Sequence, residues 1–244
     1  MENNLKGKVA LITGASGGIG SSLAENLAKA GVHLILLGGR NLKKLEDLKL
    51  KVQSFGVKCL ALSGDLTDIN FINSGVELAV QSFGGIDILI NNAGLAQSTP
   101  FEQISKEEFE SIMTLNFKVP FFLTQKLVPI LKKSNYATII NIASVVGHMG
   151  YPLQSVYTAS KHALVGFSKS LAKEVYKDGI RVHVLSPGGV YTDMIKVSRP
   201  DLSKEGMIMP EDISNIVLFL LQNRTNAVID QISLHRVNKE PFLD

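Results

Sequence analysis

The sequence predicts an α/β domain in which a doubly wound parallel sheet carries helices on both faces. Short, continuously apolar runs alternate with longer amphipathic segments along the whole chain, which is the pattern of successive strand–helix–strand units. The right-handed crossover between parallel strands leaves few other topologies for such a chain. The length of 244 residues, with no Gly/Ser/Pro-rich linker and no internal repeat, predicts a single domain over residues 1–244.

The predicted strands are short apolar runs, because both faces of a parallel strand are buried under helices. They cover residues 9–12, 34–37, 59–62, 86–90, 138–142, 180–185 and 228–234. The predicted helices are longer segments in which apolar residues recur at helical spacing. They cover residues 19–30, 42–48, 71–83, 105–131, 155–176 and 211–221. The polar segment 193–209 is expected to be irregular and to form a lid over a ligand.

The composition excludes several classes of protein. The formal net charge is only +3 and the Lys and Arg residues form no stripe, so we expect no nucleic-acid partner. Cys59 is the single cysteine, which rules out an internal disulfide, and the histidines have no spacing typical of metal ligands. The N-terminus lacks a signal-peptide core, and no apolar stretch approaches the ~20 residues of a membrane span. These observations predict a cytoplasmic protein without metal or membrane contact.

A glycine-rich loop follows the first predicted strand and opens into a helix. It reads Thr13-Gly14-Ala15-Ser16-Gly17-Gly18-Ile19-Gly20. Glycine allows positive φ and close approach of the backbone to a pyrophosphate, whose charge then faces the helix N-terminus. The glycine spacing differs from the commoner Gly-x-Gly-x-x-Gly fingerprint, but the strand–loop–helix context is that of a Rossmann-type dinucleotide site.

The end of the second predicted strand bears on the choice of cofactor. In such folds an acidic residue at this point binds the adenosine ribose and favours NAD, whereas an Arg accommodates the 2′-phosphate of NADP. The sequence here is Leu37-Gly38-Gly39-Arg40-Asn41, with one arginine and no carboxylate. We therefore expect NADP, with Arg40 at the phosphate. NAD is the alternative, since the Gly-Gly pair makes the alignment of Arg40 ambiguous.

Three side chains form a candidate acid/base group. Tyr157 and Lys161 are four residues apart, so they project from one face of a helix. A nearby ammonium favours the phenolate and is expected to lower the phenol pKa of ~10 toward neutrality. Ser144 follows a predicted strand, which places its hydroxyl at the carboxyl edge of the sheet, where α/β folds bind ligands.

The order of these motifs resembles the short-chain dehydrogenase/reductase family in its compact form. The motifs are Thr13 to Gly20, Asp65-Leu66, Asn91-Asn92-Ala93-Gly94, Ser144, Tyr157 to Lys161 and Pro187-Gly188. The resemblance implies that Tyr157 is the acid/base, that Ser144 orients the substrate oxygen, and that Lys161 holds the nicotinamide ribose. It also implies that Asn116 supports a proton-relay water.

The same resemblance implies a set of cofactor contacts. In the glycine loop these are Gly14, Ser16, Gly17, Gly18, Ile19 and Gly20. Further contacts are Asp65 and Leu66 at the adenine, Asn92, Ala93 and Gly94 at the riboses, and Pro187, Gly188, Val190 and Thr192 at the carboxamide. Tyr157 and Lys161 belong to both groups. His148 and Tyr151, between Ser144 and Tyr157, are expected to line the substrate pocket.

The resemblance leaves the substrate open. Within the family, the sequence is similar to those of 3-oxoacyl-acyl-carrier-protein reductases and of 3-hydroxy-acid dehydrogenases. The ending Ile232-Ser233-Leu234-His235-Arg236 departs from the Gly-Gly-rich ending of many carrier-linked reductases. The expected partners are a small carbonyl or alcohol, free or linked to an acyl carrier, and further copies of the chain in a homotetramer or homodimer packed through the helices of Asn116 and Tyr157.

The alternatives are an NAD-linked dehydrogenase of small hydroxy acids or alcohols, and a nucleotide-binding regulator without catalysis. An extended epimerase or dehydratase is disfavoured because the chain is too short for its extra domain.

Overall fold

A computed structural model describes residues 5–39, 41–198 and 203–239, and shows a seven-stranded, all-parallel sheet. Its order is β3-β2-β1-β4-β5-β6-β7. The strands are β1 Val9–Thr13, β2 His33–Gly38, β3 Cys59–Ser63, β4 Ile88–Asn91, β5 Thr138–Ile142, β6 Arg181–Pro187 and β7 Gln231–Leu234. The predicted doubly wound, Rossmann-like sheet is confirmed.

The helices lie on both faces of this sheet. They are α1 Gly18–Lys29, α2 Leu42–Gln53, α3 Ile69–Phe83, α4 Lys106–Met113, α5 Val119–Leu131, α6 Ser155–Val175, α7 Asp193–Ser198 and α8 Pro210–Gln222. Apolar residues of α1, α2 and α8 pack on one face, and those of α3, α5 and α6 pack on the other. Alternate residues of a strand pack into the cores on opposite faces of the sheet. In β1, Ala10 and Ile12 belong to the first core and Val9 and Leu11 to the second.

Three predicted elements differ from the observed ones. The helix predicted over 105–131 consists of α4 and α5 joined by a π-helical turn, Thr114–Lys118. The last strand begins at Gln231 instead of 228. The segment predicted to be irregular begins with the short helix α7, and residues 199–202 within it lie outside the described residues.

The strand order reverses between β1 and β4, and this reversal positions the site. Helices that follow β1 and β4 diverge to opposite faces, which leaves a crevice at the carboxyl ends of these strands. The glycine loop after β1 and the Asn92-Ala93-Gly94 segment after β4 both lie there. Among the helices in the described part of the chain, none combines the length and the apolarity that a membrane span requires.

Candidate active site

The glycine loop packs directly against the chain that leaves β4. Gly14 has φ +64°, and a Cβ on it would lie 2.8 Å from the Cα of Ala93. A Cβ on Gly18 would lie 2.8 Å from the Cγ2 of Thr192, in the loop after β6. These positions therefore require glycine, for conformation at Gly14 and for space at both.

The first turn of α1 faces the crevice without a side-chain partner. Its N-cap residue, Gly17, makes no side-chain cap, and the first turn holds no acidic residue. A helix N-terminus of this kind presents free N–H groups and a positive dipole end to an anion. The loop therefore fits the pyrophosphate of a dinucleotide.

Asn92 and Thr13 clamp the loop to β4. The Asn92 amide nitrogen, Nδ2, donates to the backbone oxygens of Thr13 and Gly14 at 3.0 and 3.2 Å. The Thr13 hydroxyl accepts from the backbone N–H groups of Asn92 and Ala93 at 3.0 and 3.1 Å. Thr13 was not among the predicted site residues, although it opens the loop motif. Asn91, in contrast, points into the sheet, where its amide donates to Asn141 Oδ1 at 2.8 Å and stabilises the pairing of β4 with β5.

A cleft of about 240 Å³ brings most of the predicted chemistry together. Of the predicted site residues, those that line it are Ile19, Asn92, Gly94, Ser144, Tyr157, Lys161, Pro187, Gly188, Val190 and Thr192. Most of the remaining wall is apolar, with Leu95, Val146, Met149 and Met194 among the side chains. The cleft thus joins the acid/base group to the loops after β1, β4 and β6.

Tyr157, in the first turn of α6, is half-buried in this cleft. Burial raises the pKa of Tyr157 above its ordinary value of 10, and a hydrogen bond with the Ser144 hydroxyl acts in the opposite direction. The net shift is upward, which is the reverse of the lowering expected from the sequence. The phenol is therefore neutral at physiological pH, the form that can donate a proton.

Lys161, one turn further along α6, is itself desolvated. Its Nζ lies 5.8 Å from the centre of the Tyr157 ring and donates to the backbone oxygen of Ile142 at 2.9 Å. The side chain is buried, and burial lowers the pKa of Lys161 to about 8. Helical spacing correctly predicted that the two side chains share one face, but it could not predict the loss of water around both.

Asn116 lies in the π-helical turn and is fully buried. Its Oδ1 accepts from Leu95 N at 2.8 Å, and its Nδ2 donates to Leu95 O at 2.9 Å and to Ser160 Oγ at 3.0 Å. A Cβ on Gly94 would lie 3.2 Å from Asn116 Oδ1 and 3.7 Å from Lys161 Nζ. Glycine at position 94 therefore keeps the space between the asparagine and the lysine open.

Gln97 contacts the first turn of α6 in a way that the sequence did not indicate. It is buried, and its Oε1 accepts from the backbone N–H groups of Val156 at 2.9 Å and Tyr157 at 3.2 Å. Gln154, the N-cap residue of α6, makes no side-chain cap. Gln97 thus caps α6 from a distant loop, a contact that leaves no signature in local sequence.

The other predicted cofactor residues lie around the cleft or apart from it. Gly14, Ser16 and Gly17 in the glycine loop, Gly18 and Gly20 in the first turn of α1, and Ala93 after β4 frame the crevice but do not line the cleft. Asp65 and Leu66 follow β3, beside the end of β2, and Asp65 Oδ1 accepts from Thr67. Arg40 lies outside the described residues, so its predicted phosphate contact stays a prediction.

Of the two residues predicted to line the substrate pocket, one lines the cleft and the other does not. Tyr151 is part of the cleft wall. His148 is exposed and is absent from the described wall, since its Nε2 lies 3.0 Å from the hydroxyl of Ser186. The described residues contain no group of three or more His, Cys, Asp or Glu side chains arranged to hold a metal ion.

Comparisons with known proteins agree with this geometry. The family model described as short chain dehydrogenase matches residues 8–203. A 3-oxoacyl-acyl-carrier-protein reductase of Aquifex aeolicus is 33% identical over 240 residues, which is 95% of this chain and 97% of the relative. An alcohol dehydrogenase of the archaeon Thermococcus sibiricus, complexed with 5-hydroxy-NADP, has a TM-score of 0.87 at 27% identity, covering 96% of this chain and 98% of that one. A short chain dehydrogenase of Mycobacterium paratuberculosis bound to NAD has a TM-score of 0.86 at 26% identity, covering 95% and 97%.

Proposed function

This chain is an oxidoreductase of the short-chain dehydrogenase family, and we propose that it reduces a carbonyl compound to an alcohol with NADPH, using Tyr157 as the proton donor. The observation that carries the proposal is the meeting of Tyr157, Ser144 and Lys161 in one cleft with the loops after β1, β4 and β6. A nucleotide-binding regulator would have no use for a buried tyrosine–serine–lysine group, and this favours an enzyme over that alternative.

A nicotinamide dinucleotide fits the residues present. The pyrophosphate would lie at the uncapped N-terminus of α1, where Gly14 and Gly18 leave room for it. Asn92 and Gly94 would border the riboses, and Pro187, Gly188 and Val190 would hold the carboxamide end. When bound, the nicotinamide supplies or accepts a hydride, which is chemistry that no side chain can provide.

The protein supplies the proton. Reduction of a carbonyl adds a hydride at carbon and a proton at oxygen, so the oxygen must lie beside an acid that is protonated at working pH. The upward pKa shift keeps the Tyr157 phenol in that form, and the Ser144 hydroxyl can hold the substrate oxygen next to it. Lys161 would bind the nicotinamide ribose as an ammonium, and Asn116 with Gly94 would hold water that returns a proton to Tyr157.

The preference for NADP over NAD rests on the end of β2. The segment from Leu37 to Asn41 has no carboxylate to bind a ribose 2′-hydroxyl and carries Arg40. Asn41 caps α2 by accepting from Lys44 N at 3.0 Å, so the helix N-terminus follows Arg40 directly in the sequence. An arginine next to a helix N-terminus is a combination that binds phosphate.

The remaining expectations form part of the same proposal. We propose a cytoplasmic homotetramer or homodimer that acts on a small carbonyl substrate. The named relative supports a 3-oxoacyl substrate, linked to an acyl carrier, as one form of that substrate. An NAD-linked dehydrogenase of small hydroxy acids is the alternative, since structures similar to this one include complexes with both cofactor types.

The experiment that tests the proposal combines cofactor titration with turnover. NADPH and NADH are titrated into the wild type, into Arg40→Ala and into Lys133→Ala, a control that removes an exposed cation after α5. We expect tighter binding of NADPH, lost in Arg40→Ala only, and oxidation of NADPH with 3-oxo esters or ketones. Equal affinity for both cofactors would overturn the choice of NADP. Cofactor binding without turnover of any carbonyl in the panel would overturn the enzymatic assignment.

A further inference from the structure

The charged side chains that line the cleft are all of one kind. They are the cations Lys161, Arg236 and Lys239, with the imidazole of His235 beside them and no Asp or Glu among the described lining residues. Lys161 belongs to the acid/base group, but the other three come from the segment after β7, the ending that sets this sequence apart from many carrier-linked reductases. Clefts with charge of one sign concentrate ligands of the opposite sign.

Arg236 is held at the cleft by the pairing of the last two strands. The backbone N–H of Gly188, just after β6, donates to Leu234 O at 2.8 Å, so the chain leaving β7 runs beside the loop that follows β6. A Cβ on Gly189 would lie 3.5 Å from Arg236 Cδ and 3.8 Å from its Nε. The arginine stem thus lies close to Gly189, in the loop that follows β6.

Among the described residues, the guanidinium of Arg236 has no acidic partner. The side chain is half-buried. Lys239, its neighbour in the wall, is exposed and adds to the positive charge. A partly desolvated cation is stabilised when a bound ligand places an anionic group beside it.

Apolar side chains also line the cleft, among them Leu95, Met149 and Ile195. The glycine loop, at the other side of the crevice, already accounts for the cofactor phosphates through the N-terminus of α1. The cation beside Gly189 is therefore available to the substrate. A ligand that matches both features has a short apolar part and an anionic end.

We propose that the substrate of the proposed carbonyl reduction carries an anionic group, a carboxylate or a phosphate, and that Arg236 binds it. This inference rests on the proposed function, because it places the anion on the same molecule as the reacting carbonyl. Lys239 raises the local positive potential, and Arg236 makes the directed hydrogen bonds. The reaction itself is unchanged, with the hydride arriving at carbon and the proton at oxygen.

The test compares matched anionic and neutral carbonyl compounds at saturating cofactor. The pairs are 3-oxobutanoate with its methyl ester, and dihydroxyacetone phosphate with dihydroxyacetone, so that carboxylate and phosphate are judged separately. The variants are Arg236→Met, which keeps an apolar stem, Arg236→Lys, which keeps the charge, and Lys173→Met as an exposed control on α6.

We expect the wild type to prefer the anionic member of at least one pair. Arg236→Met should lower kcat/KM for that anion about 10- to 100-fold, mainly through KM, because a hydrogen bond to a charged group has that weight. Turnover of the neutral member should change less than about threefold. Arg236→Lys should recover part of the loss, and Lys173→Met should resemble the wild type.

Three outcomes would overturn the inference. One is a preference for the neutral member of both pairs, and another is a preference for anions that Arg236→Met leaves intact. The third is an equal loss of cofactor affinity in Arg236→Met, which would assign the arginine to the cofactor. If the wild type binds cofactor and turns over no carbonyl, the proposed function fails, and melting temperature with butanoate or glycerol phosphate then tests Arg236 alone. A ligand-induced rise in the melting temperature of the wild type that Arg236→Met lacks would support the anion site. An equal rise in both proteins, or no rise in either, would overturn it.

Discussion

The side-chain oxygen of Gln97 accepts a hydrogen bond from the backbone N–H of Tyr157, with 3.2 Å between Oε1 and N. It accepts a second from Val156 N at 2.9 Å, so one buried amide satisfies two free N–H groups in the first turn of α6. Within the described residues, the Nε2 of Gln97 has no hydrogen-bond partner. The loop after β4 therefore sets the position of the proposed proton donor.

Replacing Gln97 should affect catalysis as well as stability. Gln97→Met removes the acceptor, and we expect a loss of about 1 kcal/mol in the free energy of unfolding. Because Tyr157 then loses an anchor of its backbone, kcat should fall about tenfold or more. Gln97→Glu, which keeps an acceptor oxygen, should retain more activity. The measurements are chemical denaturation and steady-state kinetics.

Ser105 offers a matched control for this prediction. Its hydroxyl caps α4 on the surface by accepting from Glu108 N at 3.1 Å. Ser105→Ala should lose a similar free energy of unfolding while kcat stays near the wild-type value. If both variants lose kcat in proportion to stability, Gln97 has a structural role only.

A methyl group at position 14 should damage the cofactor site. In Gly14→Ala the residue would keep φ near +64° and its Cβ would approach the Cα of Ala93, so the loop must shift. We expect about 1 to 3 kcal/mol of destabilisation and a large rise in the Kd of the nucleotide. Gly85→Ala is the control, because Gly85 has open space around it and no positive φ. Unaltered nucleotide affinity in Gly14→Ala would rule out this loop as the pyrophosphate site.

The buried ammonium of Lys161 predicts a pH dependence of activity. The pKa of Lys161 is lowered to about 8, so its charge is lost as the pH rises through that value. If the ammonium holds the nicotinamide ribose, kcat/KM for reduction should decline above about pH 8. A rate that stays constant well beyond this pH would contradict the assigned role. The profile is best measured with saturating NADPH and again with limiting NADPH, because the limiting case reports ribose binding.

The same lysine predicts a pH dependence of stability. Between about pH 8 and pH 10.5 the unfolded chain binds a proton at Lys161 that the folded protein does not, so wild-type stability gains with rising pH from this residue. The full gain is ~3 kcal/mol. In denaturation experiments, Lys161→Met should therefore be most favoured over the wild type near pH 7 and progressively less so toward pH 10. A stability difference independent of pH would show that the pKa of Lys161 is not lowered.

Hydrophobic patterning predicted the sheet, most helices and the meeting of the motifs, because strand and helix periods are local properties. It could not predict the π-helical turn at Asn116, since a single extra residue per turn barely disturbs a helical pattern of apolar residues. Nor did it indicate Gln97 or Arg236, whose roles depend on contacts with distant α6 and β6. Desolvation of Tyr157 and Lys161 follows from how closely the cleft walls pack, which sequence spacing does not describe.

Substitution of Tyr157 by Phe tests the central claim most directly. The measurement is NADPH oxidation with a carbonyl substrate, together with the Kd of NADPH, in the wild type and in Tyr157→Phe. We expect kcat to fall about 10²- to 10⁴-fold while the Kd changes little, because the variant removes the proton donor and keeps the ring. Turnover within a few fold of the wild type would contradict the account, because the proton would then come from another group.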